Sequence, residues 1–123
     1  MAFDEGLAER IRGVLEDHRV SFSEIRMFGG LAFMVRGHMT VGILKDDLMV
    51  RIGPESHAQV LAEPQVRVMT FTGRPMKGIV LVSAEGTDRE ADLERWIERA
   101  LAFTGSLPAK EPSPAPLRRK RSR

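Results

Sequence analysis

The chain has 123 residues, 29% of them charged and 42% apolar, with neither cysteine nor tyrosine. That length fits one domain, since a second core would have too little surface to bury, and the apolar fraction excludes wholesale disorder. Without cysteine there is no disulfide framework and no thiolate metal site.

The formal charge is +2 and the isoelectric point about 9.5, which invites a nucleic-acid reading until the charge is located. From Pro108 onward, Lys110, Arg118, Arg119, Lys120, Arg121 and Arg123 stand against the single acid Glu111, a net of +5. Residues 1–107 hold the other 13 basic and 16 acidic residues, a net of −3. The body is mildly acidic, and the basic character belongs to the tail. No apolar run approaches the roughly 20 residues that span a bilayer. The start, with Asp4 and Glu5, lacks the pattern of a secretory signal. A cytoplasmic chain with no membrane partner is expected.

Asp4 to His18 reads as an amphipathic helix, with Leu7, Ile11, Val14 and Leu15 on one face. From Ser21 to Ile52 the texture becomes β-branched, aromatic and Met-rich, punctuated by Gly29-Gly30, Arg36-Gly37 and Asp46-Asp47. This predicts strands near 23–28, 31–35, 39–45 and 48–52. Their connections are too short for parallel crossovers, so they form an antiparallel meander. Pro54 opens a short helix through about Leu61. Strands near 66–71 and 77–82 flank the Thr72-Gly73-Arg74-Pro75 turn. Thr87-Asp88-Arg89-Glu90 then reads as a capping box for a helix carrying Leu93, Trp96, Ile97, Ala100 and Leu101, closed by a C-cap Gly105.

After Leu107 the prolines 108, 112, 114 and 116 interleave with Ala and Ser, and no apolar set remains to bury. Residues 108–123 are expected to form a disordered, Pro-rich basic tail. The body, 1–107, is an α+β domain: one antiparallel sheet of five or six strands, meander plus hairpin, packed with N- and C-terminal helices.

Catalytic patterns fail one by one. His18, His38 and His57 lie too far apart to set two imidazoles on one helix face, so no metal and no cofactor is expected. Gly37 to Gly42 begins like a phosphate-binding loop, but Ile43-Leu44 stands where Lys-Ser/Thr is required. Asp46-Asp47 is a hairpin turn, and no nucleophile elbow or cysteine nucleophile exists. The chain does not read as an enzyme, and no catalytic residue is assigned.

Two features rise above this background. One is Arg26-Met27-Phe28-Gly29-Gly30 leading into the hairpin to Lys45. The other is apolar content on both sheet faces. By alternation Leu31, Phe33, Val35, Met39, Val41, Ile43, Leu48, Val50 and Ile52 share one face. Ala32, Met34, Leu44, Met49, Met69 and Phe71 share the other, with Thr40, Arg51 and Arg67 as its polar members. A sheet with helices on one side should be polar on the other. Either helices cover both faces or the second face meets a partner. The expected occupant is a second copy of the chain, contacted through Met34, Met49, Met69 and Phe71.

These residues resemble the TfoX (Sxy) N-terminal domain family. The resemblance rests on the Arg26–Gly30 segment, on Gly42-Ile43-Leu44-Lys45 and Leu48-Met49-Val50-Arg51, on Gly73-Arg74-Pro75-Met76, and on the closing helix with Trp96. It covers about residues 5–104, and its motif positions here are Met27, Phe28, Gly29, Gly30, Lys45, Arg51, Gly73 and Met76. It implies a compact α+β domain in a bacterial protein. It also implies a role akin to the family's competence regulators, which act at promoters with the cyclic-AMP receptor protein. Those regulators carry a second, helical domain, and this chain departs from that pattern with its basic tail. The resulting expectation is a non-enzymatic module contacting the transcription machinery or a DNA-binding regulator. Arg118, Arg119, Lys120, Arg121 and Arg123 would add weak, non-specific nucleic-acid contact. The alternative is a small-molecule-binding or chaperone-like module with a pocket near Phe28-Gly29-Gly30, Lys45 and Arg51.

Overall fold

A computed structural model describes residues 3–27, 29–71 and 73–108, the side chain of Phe71 excepted. Helix α1 (Glu5–Asp17) leads into strands β1 (Ser23–Met27), β2 (Gly30–Val35), β3 (His38–Leu44) and β4 (Asp47–Arg51). A short helix α2 (His57–Leu61) precedes β5 (Val66–Phe71) and β6 (Arg74–Val82), and α3 (Glu90–Gly105) closes the fold. All strand pairs are antiparallel in one six-stranded sheet of order β1-β2-β3-β4-β6-β5. The meander is therefore extended by the second strand of the hairpin, which leaves β1 and β5 as the edges.

Local chemistry sets the element ends. The Asp4 carboxylate accepts from the backbone N–H groups of Gly6 (2.9 Å) and Leu7 (3.2 Å), satisfying donors that the first turn of α1 leaves unpaired. At the other end, Arg19 takes φ 57°, and the N–H groups of Arg19 and Val20 reach back to the carbonyls of Glu16 and Leu15. This is a Schellman closure made with arginine where glycine is usual.

Gly30 is required by close approach: a Cβ there would sit 1.9 Å from the carbonyl oxygen of Ile43 on the neighbouring strand. The central strands β2, β3 and β4 are almost wholly buried. Leu31, Phe33, Val41, Ile43, Leu48, Val50, Val80 and Val82 form one core with Leu7, Ile11 and Leu15 of α1, Val60 of α2, and Leu93, Trp96, Ile97 and Ala100 of α3. All three helices thus pack on the same side of the sheet.

The start of α3 departs from expectation. Thr87 is buried and outside the helix, its hydroxyl donating to the Ala84 carbonyl across a 3-10 turn over Ala84–Gly86. Arg10 of α1 takes the Thr87 carbonyl (2.6 Å) and the Asp88 carbonyl (3.2 Å). These long-range bonds hold the segment out of helical geometry, so the N-cap falls on Arg89 and has no side-chain cap bond. Glu90 and Asp92 still place negative charge in the first turn, where the helix dipole favours it. Gly105 is the last helical residue and not the cap beyond it; Ser106, in right-handed geometry, ends the helix.

Candidate functional site

The candidate site is the sheet face that the helices leave uncovered. Register aligns a row straight across it: Ile25, Ala32, Gly42, Met49, Leu81 and Arg67, one residue from each strand in spatial order. Met34, Leu44 and Ile79 flank this row, half-buried, and Ile25 is 44% exposed. None of these outer residues belongs to the helix-packed core. The outer face is therefore apolar at its centre, with Arg67 and its ion-pair partner Asp47 at 2.6 Å near one margin.

The methionines do not present themselves as expected. Met49 is 0% and Met69 1% exposed, so neither is a contact side chain in the folded chain; Met34 is half-buried. The cause for Met49 lies opposite it: a Cβ on Gly42 would stand 2.4 Å from the Met49 methyl, so the missing side chain is the space that the thioether fills. Met69 sits where the β5–β6 register slips, between Val68 and Thr70. The side chain of Phe71, and all of Phe28, lie outside the described residues. Accessible apolar contact falls instead to Ile25, Met34, Leu44, Ile79 and Leu81.

Of the polar residues assigned to this face, Thr40 is elsewhere, and Arg51, opposite Ile79, sends its guanidinium to the sheet end beside α3. The register shift beside Phe33 and Met34 turns Thr40 inward, where it is buried and its hydroxyl meets that of Thr104 on α3. The Arg51 guanidinium lies 5.6 Å from the centre of the Phe103 ring on α3 and donates to the Met39 carbonyl at 3.4 Å.

The family-motif residues divide between two ends of the sheet. Met27 pairs with Gly30 across the β1–β2 turn, where Gly29 has φ 77°. Lys45 belongs to the same end: its carbonyl accepts from the Asp4 N–H (2.8 Å), and Phe3 bridges to it in parallel. Arg51 lies at the opposite end of β4. There Gly73, with φ 80°, and the half-buried Met76 mark the projecting β5–β6 hairpin. Lys45 and Arg51 are therefore separated by roughly 15–20 Å of strand. The anion pocket expected from them and the paired glycines is not assembled.

Other chemistry gathers on the helix side. Arg12 of α1 forks onto Glu24 of β1 (2.6 and 2.9 Å), which holds the carboxyl below its usual range and the guanidinium above its own. Arg99 of α3 forks onto Glu63 beyond α2 (3.1 and 2.7 Å), likewise depressing that carboxyl, while lying 4.4 Å from the Trp96 ring centre. Beside this second clamp, α2 and α3 enclose a groove of about 450 Å³ lined by Ile52, Gln59, Val60, Ala102 and Phe103. His18 meets Glu94 and Glu98, a cluster invisible to residue spacing because the histidine is 76 residues from its first partner. Only the i,i+4 pair of carboxylates was legible.

The chain leaves the described part at Pro108, whose carbonyl accepts from Nε2 of His38 at 2.7 Å. The five tail cations Arg118, Arg119, Lys120, Arg121 and Arg123 lie outside the described residues. No helix among the described residues is long and apolar enough to cross a membrane.

Neither the curated proteins nor the solved structures contain a match to this chain. The TfoX N-terminal domain matches residues 17–104, which run from the end of α1 through nearly all of α3. The match begins later than the resemblance read from the motifs, leaving most of α1 outside it although α1 shares the core. Spanning well over half of the sequence and every strand of the sheet, it establishes that the chain belongs to the TfoX N-terminal domain family.

Proposed function

We propose that this domain is a non-enzymatic regulatory module that works by protein contact, as the family's competence and transcription regulators do. The observation that carries the reading is the one-sided placement of α1, α2 and α3, which leaves an apolar-centred sheet face for a partner. A second copy is the simplest occupant, because a two-fold axis lets one patch complement itself. The transcription machinery or a DNA-binding regulator then meets the assembled dimer. A cytoplasmic location goes with this role. The +5 tail adds weak, salt-dependent attraction to nucleic acid.

Light scattering at high micromolar concentration tests the contact: a mass twice the 13.8 kDa of one chain is expected. Ile25→Lys and Leu81→Lys on the outer row should each weaken dimerisation by about tenfold or more, since each buries an unpaired charge. A single-chain mass across the concentration range rules the dimer out. Removing 108–123 should abolish retention on DNA at low salt; unchanged retention takes the tail out of the mechanism.

A small-molecule-binding module is the second reading, and the α2–α3 groove is the observation that favours it. Thermal unfolding against a panel of nucleotides and acidic metabolites separates the two. Stabilisation that is lost in Phe103→Ala supports a ligand in the groove.

A further inference from the structure

Glu94 and Glu98 stand one turn apart on α3, and both turn toward His18, the residue that ends α1. The imidazole Nε2 lies 3.2 Å from Glu94 Oε2 and 3.4 Å from Glu98 Oε2. One ligand atom from each of the three residues falls within 4.8 Å of the others. Like charges at this helical spacing repel. The neighbouring guanidiniums do not relieve the repulsion, because Arg95 pairs with Asp92 and Arg99 with Glu63. Among the described residues, His18 is the one basic group in ion-pair contact with either carboxylate. Its Nε2 carries at most one proton, which cannot point along two hydrogen bonds at once. Three ligand-type side chains, from the end of α1 and the middle of α3, thus meet with one donor atom each inside 4.8 Å.

We propose that His18 Nε2 and the carboxylates of Glu94 and Glu98 bind a zinc ion, or a first-row divalent cation of similar preference, bracing the end of α1 to the middle of α3. Zinc holds nitrogen and carboxylate oxygen at about 2.0–2.2 Å in a tetrahedron, which sets its ligand atoms about 3.3 Å apart. The imidazole keeps that separation from each carboxylate. The donor chemistry selects the metal class. Calcium takes six to eight oxygens and magnesium an oxygen octahedron, whereas one nitrogen with two oxygens suits zinc. The side chains are 29%, 49% and 49% exposed, so the fourth position is open to water and the ion can enter from solvent.

The brace has a structural role. Most of α1 lies outside the matched segment, and Arg10 ties it to the start of α3 through Glu90. The zinc site adds a second tie nearer the middle of the same helix. This proposal does not rest on the open-face reading, since α1 and α3 pack on the other side of the sheet.

The test uses the full chain without an affinity tag, freed of metal with a chelator. Calorimetric titration with zinc chloride should give one ion per chain. Thermal unfolding should rise by about 10 °C when zinc stands 100-fold above its dissociation constant. Cobalt should give the strong visible absorption of a four-coordinate ion. His18→Gln should abolish that absorption and weaken zinc binding about 100-fold, and Glu94→Gln or Glu98→Gln about tenfold each. All three positions are exposed, so the metal-free variants should match the parent's circular dichroism. Zinc affinity unchanged in His18→Gln and in the Glu94→Gln/Glu98→Gln double variant overturns the proposal. So does calcium raising the unfolding midpoint as far as zinc does.

Discussion

The two faces of the sheet are built from the same strands by strict alternation, yet they obey different rules. The helix-facing side is filled by branched and aromatic side chains such as Phe33, Val41, Ile43 and Val50, each 0% exposed and all in one core with the helices. The outer side reaches equal burial at Ala32 and Met49 with no helix of the described residues over it. It does so by pairing small with flexible residues: Gly42 withdraws, and Met49 lies in the space. Burial on one face comes from a layer of helices, and at Met49 on the other it draws on the space left beside Gly42. An apolar residue can thus be fully buried on a face that the described helices leave uncovered.

The largest effect is expected on the helix side, where Phe33→Ala should cost about 3–5 kcal/mol in chemical denaturation followed by Trp96 fluorescence. At Met49, Ala should cost about 2–4 kcal/mol, close to the inner face, because the cavity is formed whatever covers the sheet. Half-buried Leu44→Ala should lose under about 1.5 kcal/mol. If Met49→Ala is as mild as Leu44→Ala, the outer face does not cover itself and the contrast fails.

A smaller effect concerns acid. Glu24 and Glu63 hold carboxyls depressed by their arginine clamps, so folding favours the ionised form. The stability they supply is complete above the unfolded carboxyl range. It is lost as pH falls through the lower folded values. Glu24→Gln with Glu63→Gln should flatten the pH dependence of the unfolding midpoint below about pH 4.5. At neutral pH it should cost at most about 1 kcal/mol per clamp, since both pairs are partly solvated. An unchanged slope in acid would show that the clamps are not coupled to folding.

Much of the fold could be read from residue order. Alternation over Leu31–Val35 and Asp47–Arg51, with turn residues between, placed four strands within a residue or two of their observed limits. The short connections required antiparallel pairing. What could not be read depends on contacts far apart in the chain. The hairpin joins through β6, a choice made by the pairing of Leu48 with Val82. The capping box at Thr87 is locally sound, but Arg10, 77 residues earlier, draws the Thr87 carbonyl out of the helix. Thr40 changes face through a register shift that no periodicity reveals. The site was legible as a pattern and not as an exposure map. Register puts Met34 and Met49 on the outer side, but Met49 and Met69 are buried, and of the expected methionines only Met34 keeps accessible surface there.

The closure of α1 by Arg19 has a consequence for engineering. A side chain held at φ 57° works against its own Cβ, and at this C′ position glycine removes that conflict while keeping both backbone bonds. Arg19→Gly should therefore gain about 0.5–1 kcal/mol, read as a rise of a few degrees in the unfolding midpoint. The backbone at this corner accommodates a better sequence than the one it carries. That leaves a margin of thermostability that can be recovered without touching either face of the sheet.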